Sequence, residues 1–142
     1  MANSKLSRDD IIRLYKFLLD YESEYKTMAQ QFNFNAPQLQ SFIKHHSVLL
    51  ASNSKKEKKK KGKYEAWFFY EQRKNDPKSK DDKVHHLLRH FRNSVAHGLI
   101  VKESKAVFIF KDKTEKGKIT MEGKMKADIF FDFLSMLTSC RK

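Results

Sequence analysis

Apolar and polar positions along the chain alternate in blocks of helical period, interrupted by a run of lysine and later by a stretch of strand type. Ser7, followed by Arg8-Asp9-Asp10, reads as a helix start. A serine oxygen can accept from the exposed first-turn amides, and two carboxylates suit the positive end of a helix dipole. Ile11, Leu14, Tyr15, Leu18, Tyr25 and Met28 then recur at mostly helical spacing, which predicts a first helix from about 8 to about 29. Asn35-Ala36-Pro37 is a second start, with proline tolerated in the first turn. Leu39, Phe42, Ile43, His46, Leu49 and Leu50 form the stripe of a second helix over about 36–51. Tyr64 to Lys74 places Tyr64, Trp67, Phe68 and Glu71 on one side and predicts a third helix, ended by Asn75-Asp76-Pro77. Asp81-Asp82 opens a fourth that runs to His97, with Gly98 as its left-handed stop. At about 100° per residue from Val84, the residues Leu87, Leu88, Phe91 and Val95 fall within about 60°, a narrow stripe that must face a core.

Beyond Gly98 the pattern changes. Leu99 to Lys102, Lys105 to Lys111 and Lys118 to Met121 contain short strand-type runs, and Val107-Phe108-Ile109-Phe110 has no helical period. With Lys113 to Gly117 as a turn, these predict a small β-hairpin. A last helix over about 124–140 carries Ile129, Phe130, Phe133, Leu134 and Leu137. The expected fold is mainly α. It is a single domain over 1–142, four to five helices with a β-hairpin insertion at about 99–123.

Composition sharpens this picture. A chain of 142 residues can bury about 70% of its unfolded surface in one domain. The net charge of +13 attracts polyanions, nucleic acid first and an acidic protein second. Nearly half of that charge sits between Ser52 and Lys63, which has no apolar residue and carries Lys55, Lys56, Lys58, Lys59, Lys60, Lys61 and Lys63 against Glu57. The stretch reads as a mobile, solvated loop that contacts RNA phosphates, or as a lysine-rich surface with no specific partner. Cys140 is the one cysteine, so no intramolecular disulfide or cysteine-built zinc site can form. A polar Met1 to Asp10 and the lack of a long apolar run fit a cytoplasmic protein with no membrane partner.

The fourth helix carries the chemistry. His86, His90, Asn93 and His97 recur at i, i+4, i+7 and i+11, stacking on one face with Arg89 and Arg92 beside them. A plain solvated face would carry lysine and glutamate. Guanidinium and imidazole bind phosphate or move protons near neutral pH. Three readings compete: a histidine-rich surface helix, a zinc shared by His86 and His90, and a metal-free nucleic-acid site. The zinc shell lacks a carboxylate or thiol on the same stretch, since Asp81 and Asp82 lie a turn away. His85, His45 and His46 fall outside the row. His46 lies on an apolar stripe and reads as a core histidine, and Trp67 reads as core packing rather than base stacking.

Arg92-Asn93-Ser94-Val95-Ala96-His97 resembles the Arg-x-x-x-x-His pattern of HEPN-domain ribonucleases, with a polar residue directly after the arginine. The position near the end of a long amphipathic helix and the small basic chain extend the likeness. It is similar to stand-alone HEPN proteins of plasmid, toxin–antitoxin and phage-defence settings. The resemblance implies a HEPN-like helical bundle that dimerises with its motif helices facing. It implies a composite active site and metal-free cleavage of RNA through the ribose 2′-hydroxyl. His97 would transfer the proton or orient the hydroxyl, Arg92 would hold the phosphate, and Asn93 would help position the pair. Arg89, His90, His86 and the lysines from Lys55 to Lys61 would bind RNA. No cofactor is implied, and an antitoxin protein or RNA is a further implied partner. Some HEPN toxins carry a tyrosine two residues after the histidine that their antitoxin modifies. Here that position is Leu99, which argues against silencing by that route.

The residues themselves support this reading. Five positions separate Arg92 from His97, about 140° around the helix and about 7.5 Å along it, so one helix cannot easily place both on one phosphate oxygen. Two copies across a two-fold axis can surround it. The expected function is therefore a homodimeric, metal-independent endoribonuclease acting on single-stranded RNA as a toxin or defence effector. The alternative is a non-catalytic helical module that binds RNA or an acidic protein.

Overall fold

The computed structural model describes residues 6–72, 82–104 and 106–142. Ten elements follow in order among them: α1 (Arg8–Ser23), α2 (Pro37–His45), β1 (Val48–Ser52), α3 (Lys55–Lys58), β2 (Ala66–Tyr70), α4 (Lys83–Ala96), β3 (Ile100–Glu103), β4 (Val107–Lys113), β5 (Ile119–Lys126) and α5 (Ala127–Ser139). The strands form one mixed sheet, ordered β1-β2-β5-β4-β3. β1 and β2 run parallel, and the other neighbours are antiparallel. The mainly α bundle with a hairpin insertion is thus corrected: the molecule is a five-stranded mixed sheet covered by helices. The region after Gly98 is no insertion, because it supplies three of the five strands.

Each departure has a local cause. The helix expected over 36–51 stops at His45, because Ser47 takes a left-handed φ of 51° and redirects the chain. Leu49 and Leu50 match the helical stripe by spacing alone and belong to β1. The helix expected over Tyr64 to Lys74 is instead the strand β2. Trp67-Phe68-Phe69-Tyr70 is apolar on both sides of the pleat, as a strand covered on both faces requires, and periodicity cannot separate such a run from a buried helix. The helix end at Asn75-Asp76-Pro77, the acid Asp81 and the strand start at Lys105 lie outside the described residues.

Parallel pairing of β1 and β2 demands a crossover of a dozen or more residues. The lysine-rich segment is that crossover, so it is not the mobile loop of the sequence reading. Ser54 caps α3 by accepting from the Glu57 amide at 3.2 Å, and a 3₁₀ turn follows at Lys61–Lys63. Lys58 and Lys61 reach Glu122 on β5 at 3.6 and 3.2 Å, and the Lys61 ammonium sits 4.5 Å over the half-buried Trp67 ring. At the helix starts local signals hold, although the first helix ends at Ser23, short of 29. Ser7 and Asp10 form a reciprocal capping box on α1, and Pro37 opens α2. The last helix begins three residues later than expected, since Lys124 to Lys126 still pair within the sheet. Among the described residues no helix is long and apolar enough to cross a membrane.

The main core lies between α4, α5 and the sheet. The Phe91 ring of α4 stands 5.1 Å from Phe68 and 5.6 Å from Phe110, while Phe130 of α5 stands 4.6 Å from Phe110. All four rings are fully buried, each worth about 1.5–3 kcal/mol. Phe68 lies across Gly123 on the neighbouring strand, and a β-carbon there would meet its ring carbons at 2.1 and 2.5 Å. The glycine is therefore a slot for a core ring. Gly123→Ala should push Phe68 off its partners and cost about 1–3 kcal/mol of stability by denaturant unfolding. An unchanged midpoint would show that the slot is dispensable.

Candidate active site

Helix α4 is fixed at both ends by local chemistry. Asp82 caps its start, accepting from the His85 amide at 2.9 Å and from the Gln30 amide at 2.6 Å. At the other end His97 is the cap residue and Gly98 takes a φ of 67°. The Leu99 amide donates to the Ser94 carbonyl at 2.8 Å and the Gly98 amide to the Val95 carbonyl at 3.2 Å, the paired bonds of a Schellman stop. His97 is thereby held at the last turn with its side chain exposed.

α4 runs antiparallel to α1. His85 faces the Lys26 carbonyl at 3.3 Å, Arg92 reaches Glu22 at 3.1 Å, and Lys102 just beyond the helix pairs with Asp10 at 2.7 Å. Of the expected stripe, Val84, Leu87, Leu88 and Phe91 are buried and Val95 is half-buried. The histidine row is not on the open face. His86 is 0% exposed and His90 1%, and His85 and Ser94 are also buried. The row dips between sheet and α1 because those elements wrap α4 on more than one side. His86 and His90 are sealed from solvent, which corrects their expected place as RNA-contacting groups. What remains open is a strip of Arg89, Arg92 and Asn93, all half-buried, ending in exposed Ala96 and His97.

A buried acid organises this strip. Asp112, 3% exposed on β4, places Oδ2 2.8 Å from His90 Nδ1 and accepts from Asn93 Nδ2 at 3.1 Å. The other ring nitrogen of His90 lies 2.7 Å from the Glu71 carbonyl. Arg89 Nη2 also lies 3.4 Å from that second nitrogen. His90 thus bridges the Asp112 carboxylate and the Glu71 carbonyl inside the protein. Burial pushes the Asp112 carboxyl up, but bonds from His90 and Asn93 and the charges of His90 and Arg89 outweigh it and hold it below the ordinary value.

Because Asp112 takes the amide nitrogen of Asn93, the amide oxygen must point the other way. It accepts from Arg92 Nη1 at 3.0 Å, while Arg92 Nε donates to Glu22. Two of the five N–H groups of Arg92 are used in these bonds. Arg92 is therefore oriented from two sides. Ser94 Oγ adds a bond to the Lys111 carbonyl at 2.6 Å, which pins α4 to β4 beside Asp112.

The expected site residues are only partly brought together. Arg89, Arg92, Asn93 and His97 share the open strip. Lys55, Lys56, Lys58, Lys59, Lys60 and Lys61 do not join it. Glu122, which holds Lys58 and Lys61, alternates with Met121 and Gly123, whose side faces the helices. The crossover therefore covers the opposite face of the sheet from α4. Among the described residues no group of three or more His, Cys, Asp or Glu side chains is placed to hold a metal ion. Asp112 was missed from sequence, although Phe108, Phe110 and Asp112 alternate and put a charge at an inward position.

The depressed carboxyl fixes a pH dependence. Its stabilisation is full above the ordinary aspartate range near about 3.9 and is lost as pH falls through the lower folded value. Asp112→Asn removes the carboxylate that His90 and Asn93 share and should cost about 1–3 kcal/mol at pH 7. The variant's denaturation midpoint should also fall less on acidification than the parent's. Parallel pH profiles for the two proteins would refute the pairing.

A family model described as HEPN pEK499 p136 matches residues 10–142. No curated protein and no solved structure matches the chain. The matched span takes in α4, its Arg92-to-His97 motif and the whole sheet, and the chain belongs to this HEPN family.

Proposed function

We propose that the protein is a metal-independent endoribonuclease whose active site forms where two copies meet. The observation that carries this reading is the open strip of α4. Arg92 and His97 both reach solvent there, and Arg92 is oriented through Asn93 by Asp112. In the reaction, O2′ of one ribose attacks the adjacent phosphorus, the bond to O5′ breaks, and a 2′,3′-cyclic phosphate forms. His97 of one copy takes the O2′ proton, and His97 of the other supplies a proton to O5′. Arg92 holds the non-bridging oxygens with its remaining N–H groups and offsets the charge that builds there.

A second copy has a face to dock on. Ile11, Ile12, Tyr15 and Leu19 of α1 are 41%, 58%, 61% and 71% exposed, an apolar row on one helix. The row lies between Asp10 and Glu22, which pair with Lys102 and Arg92, so it runs alongside the stretch that carries His97. Burying this row against its own copy removes apolar surface from water and brings two motif strips together around one strand.

His97→Ala should abolish RNA cleavage in the presence of a chelator, with helical content and dimer mass unchanged, and the parent's products should end in a cyclic phosphate. Full activity in His97→Ala, or a parent silenced by chelator, would refute the proposal. Leu19→Asp, at a well-exposed position, should give a folded monomer with cleavage reduced at least ~100-fold. A fully active monomer would remove the composite site.

A further inference from the structure

The motif arginine of α4 is held by an acid from another helix. Glu22 stands in the last turn of α1, with its side chain 46% exposed. Its Oε1 accepts from Arg92 Nε at 3.1 Å, and its Oε2 accepts from Lys26 Nζ at 2.9 Å. Bonds from Lys26, and after it from Arg92, outweigh desolvation and hold the Glu22 carboxyl below its ordinary value. It is therefore an anion at neutral pH.

An acid beside an arginine that grips phosphate weakens binding, because it repels the same phosphate. Lys26 offsets that repulsion: Lys26, Glu22 and Arg92 together hold two cations to one anion. Nor does stability require the acid. Both members of the pair are open to water, and such pairs add little. What Glu22 supplies is direction. The Asn93 amide oxygen holds Arg92 at Nη1, 3.0 Å away. One bond fixes a point and lets the guanidinium swing about it. A second bond at Nε, on a different nitrogen of the same plane, stops the swing. Nη2 forms no hydrogen bond among the described residues, so its two N–H groups remain for phosphate oxygens.

We propose that Glu22 is a positioning residue of the ribonuclease site, aligning the Arg92 guanidinium on the phosphate without touching the substrate. The inference rests on the ribonuclease reading and adds α1 to the machinery. The helix that carries the apolar docking row also aligns the arginine. Leu19 and Glu22 are i, i+3 neighbours on α1. In the proposed dimer, docking on the row shields the ion pair from water and strengthens its hold.

Single-turnover RNA cleavage and arginine side-chain NMR on the full chain test it. Glu22→Ala should slow cleavage ~10-fold or more, the scale of a misplaced group. It should bind an uncleavable 2′-O-methyl oligonucleotide no more weakly than the parent does, since a repelling charge is gone. Glu22→Gln keeps an oxygen for Nε without the charge and should recover most of the rate. The Arg92 Nε–H signal should be resolved in the parent and in Glu22→Gln, and lost to exchange in Glu22→Ala. Glu24→Ala removes an acid two residues on, whose partner is Arg141 at 2.8 Å, and should change neither readout. Glu22→Ala that cuts as fast as the parent, or faster, overturns the proposal. So does equal loss in Glu22→Gln and Glu22→Ala, which makes charge the cause and not placement. So does a slow Glu22→Ala whose Nε–H signal persists. A parent that cuts no RNA yet shows a Glu22-dependent signal removes the nuclease and leaves the hold on Arg92. A parent that cuts RNA with no dependence on Glu22 removes the positioning role alone.

Discussion

A carboxylate with almost no exposure sits where helix α4 meets strand β4, and the arrangement of the open strip depends on it. Burying a charge costs several kcal/mol unless its lone pairs and counter-charge are supplied on the spot. Here His90 and Asn93 both reach Asp112 Oδ2 from one helix face. The Glu71 carbonyl lies 2.7 Å from the far side of the imidazole. A hydrophobic pair could dock the helix to the sheet as tightly. It could not decide which end of the Asn93 amide faces Arg92. The carboxylate does decide it, because it accepts and cannot donate. Orientation of the motif arginine is thus set by an aspartate twenty residues on, in another layer of the fold.

How much of this was legible follows from how local each signal was. Helix α4, its acidic cap, its glycine stop and its apolar stripe are written in adjacent residues, and they came through. The capping box at Ser7 and Asp10 did too, for the same reason. What failed depended on non-local facts. Ser47 gives no warning of a left-handed turn, so two leucines of β1 continued a helical stripe. Trp67 to Tyr70 is apolar on both sides of the pleat, because helices cover one face and the lysine crossover the other. The histidines misled for a related reason: a polar row on a helix reads as a solvated face unless its buried partners are known. Asp112 was the partner, and its own signal was its place in the inward alternation with Phe108 and Phe110.

The sheet also changes what the charge can do. A lysine-rich loop beside the motif would grip RNA directly. Instead, Lys58 and Lys61 are tied to Glu122 and the crossover lies on the opposite face from α4. If the partner is a polyanion, as proposed, these lysines would act on it mainly through the long-range field, which salt screens within about 8–10 Å. Short-range recognition would then fall to the cations around α4. Family membership rests on the motif-bearing chain as a whole, so the HEPN relationship here is compatible with a sheet-containing fold, not only with a helical bundle.

The same geometry bears on the proposed composite site, in which one copy would be an incomplete catalyst. Arg92 and His97 point about 140° apart around α4, and the stop at Gly98 leaves no freedom to wind His97 back toward the arginine. Asn93 and Glu22 restrain Arg92 in the same way from the other direction. Rigidity of both groups would be a defect if one subunit had to close on a phosphate alone. It becomes an advantage if a second subunit supplies the missing half, because preorganised donors need no rearrangement when charge develops on the phosphate. The apolar row of α1 lies beside these residues, so in the proposed dimer burial of that row and completion of the site would be one event.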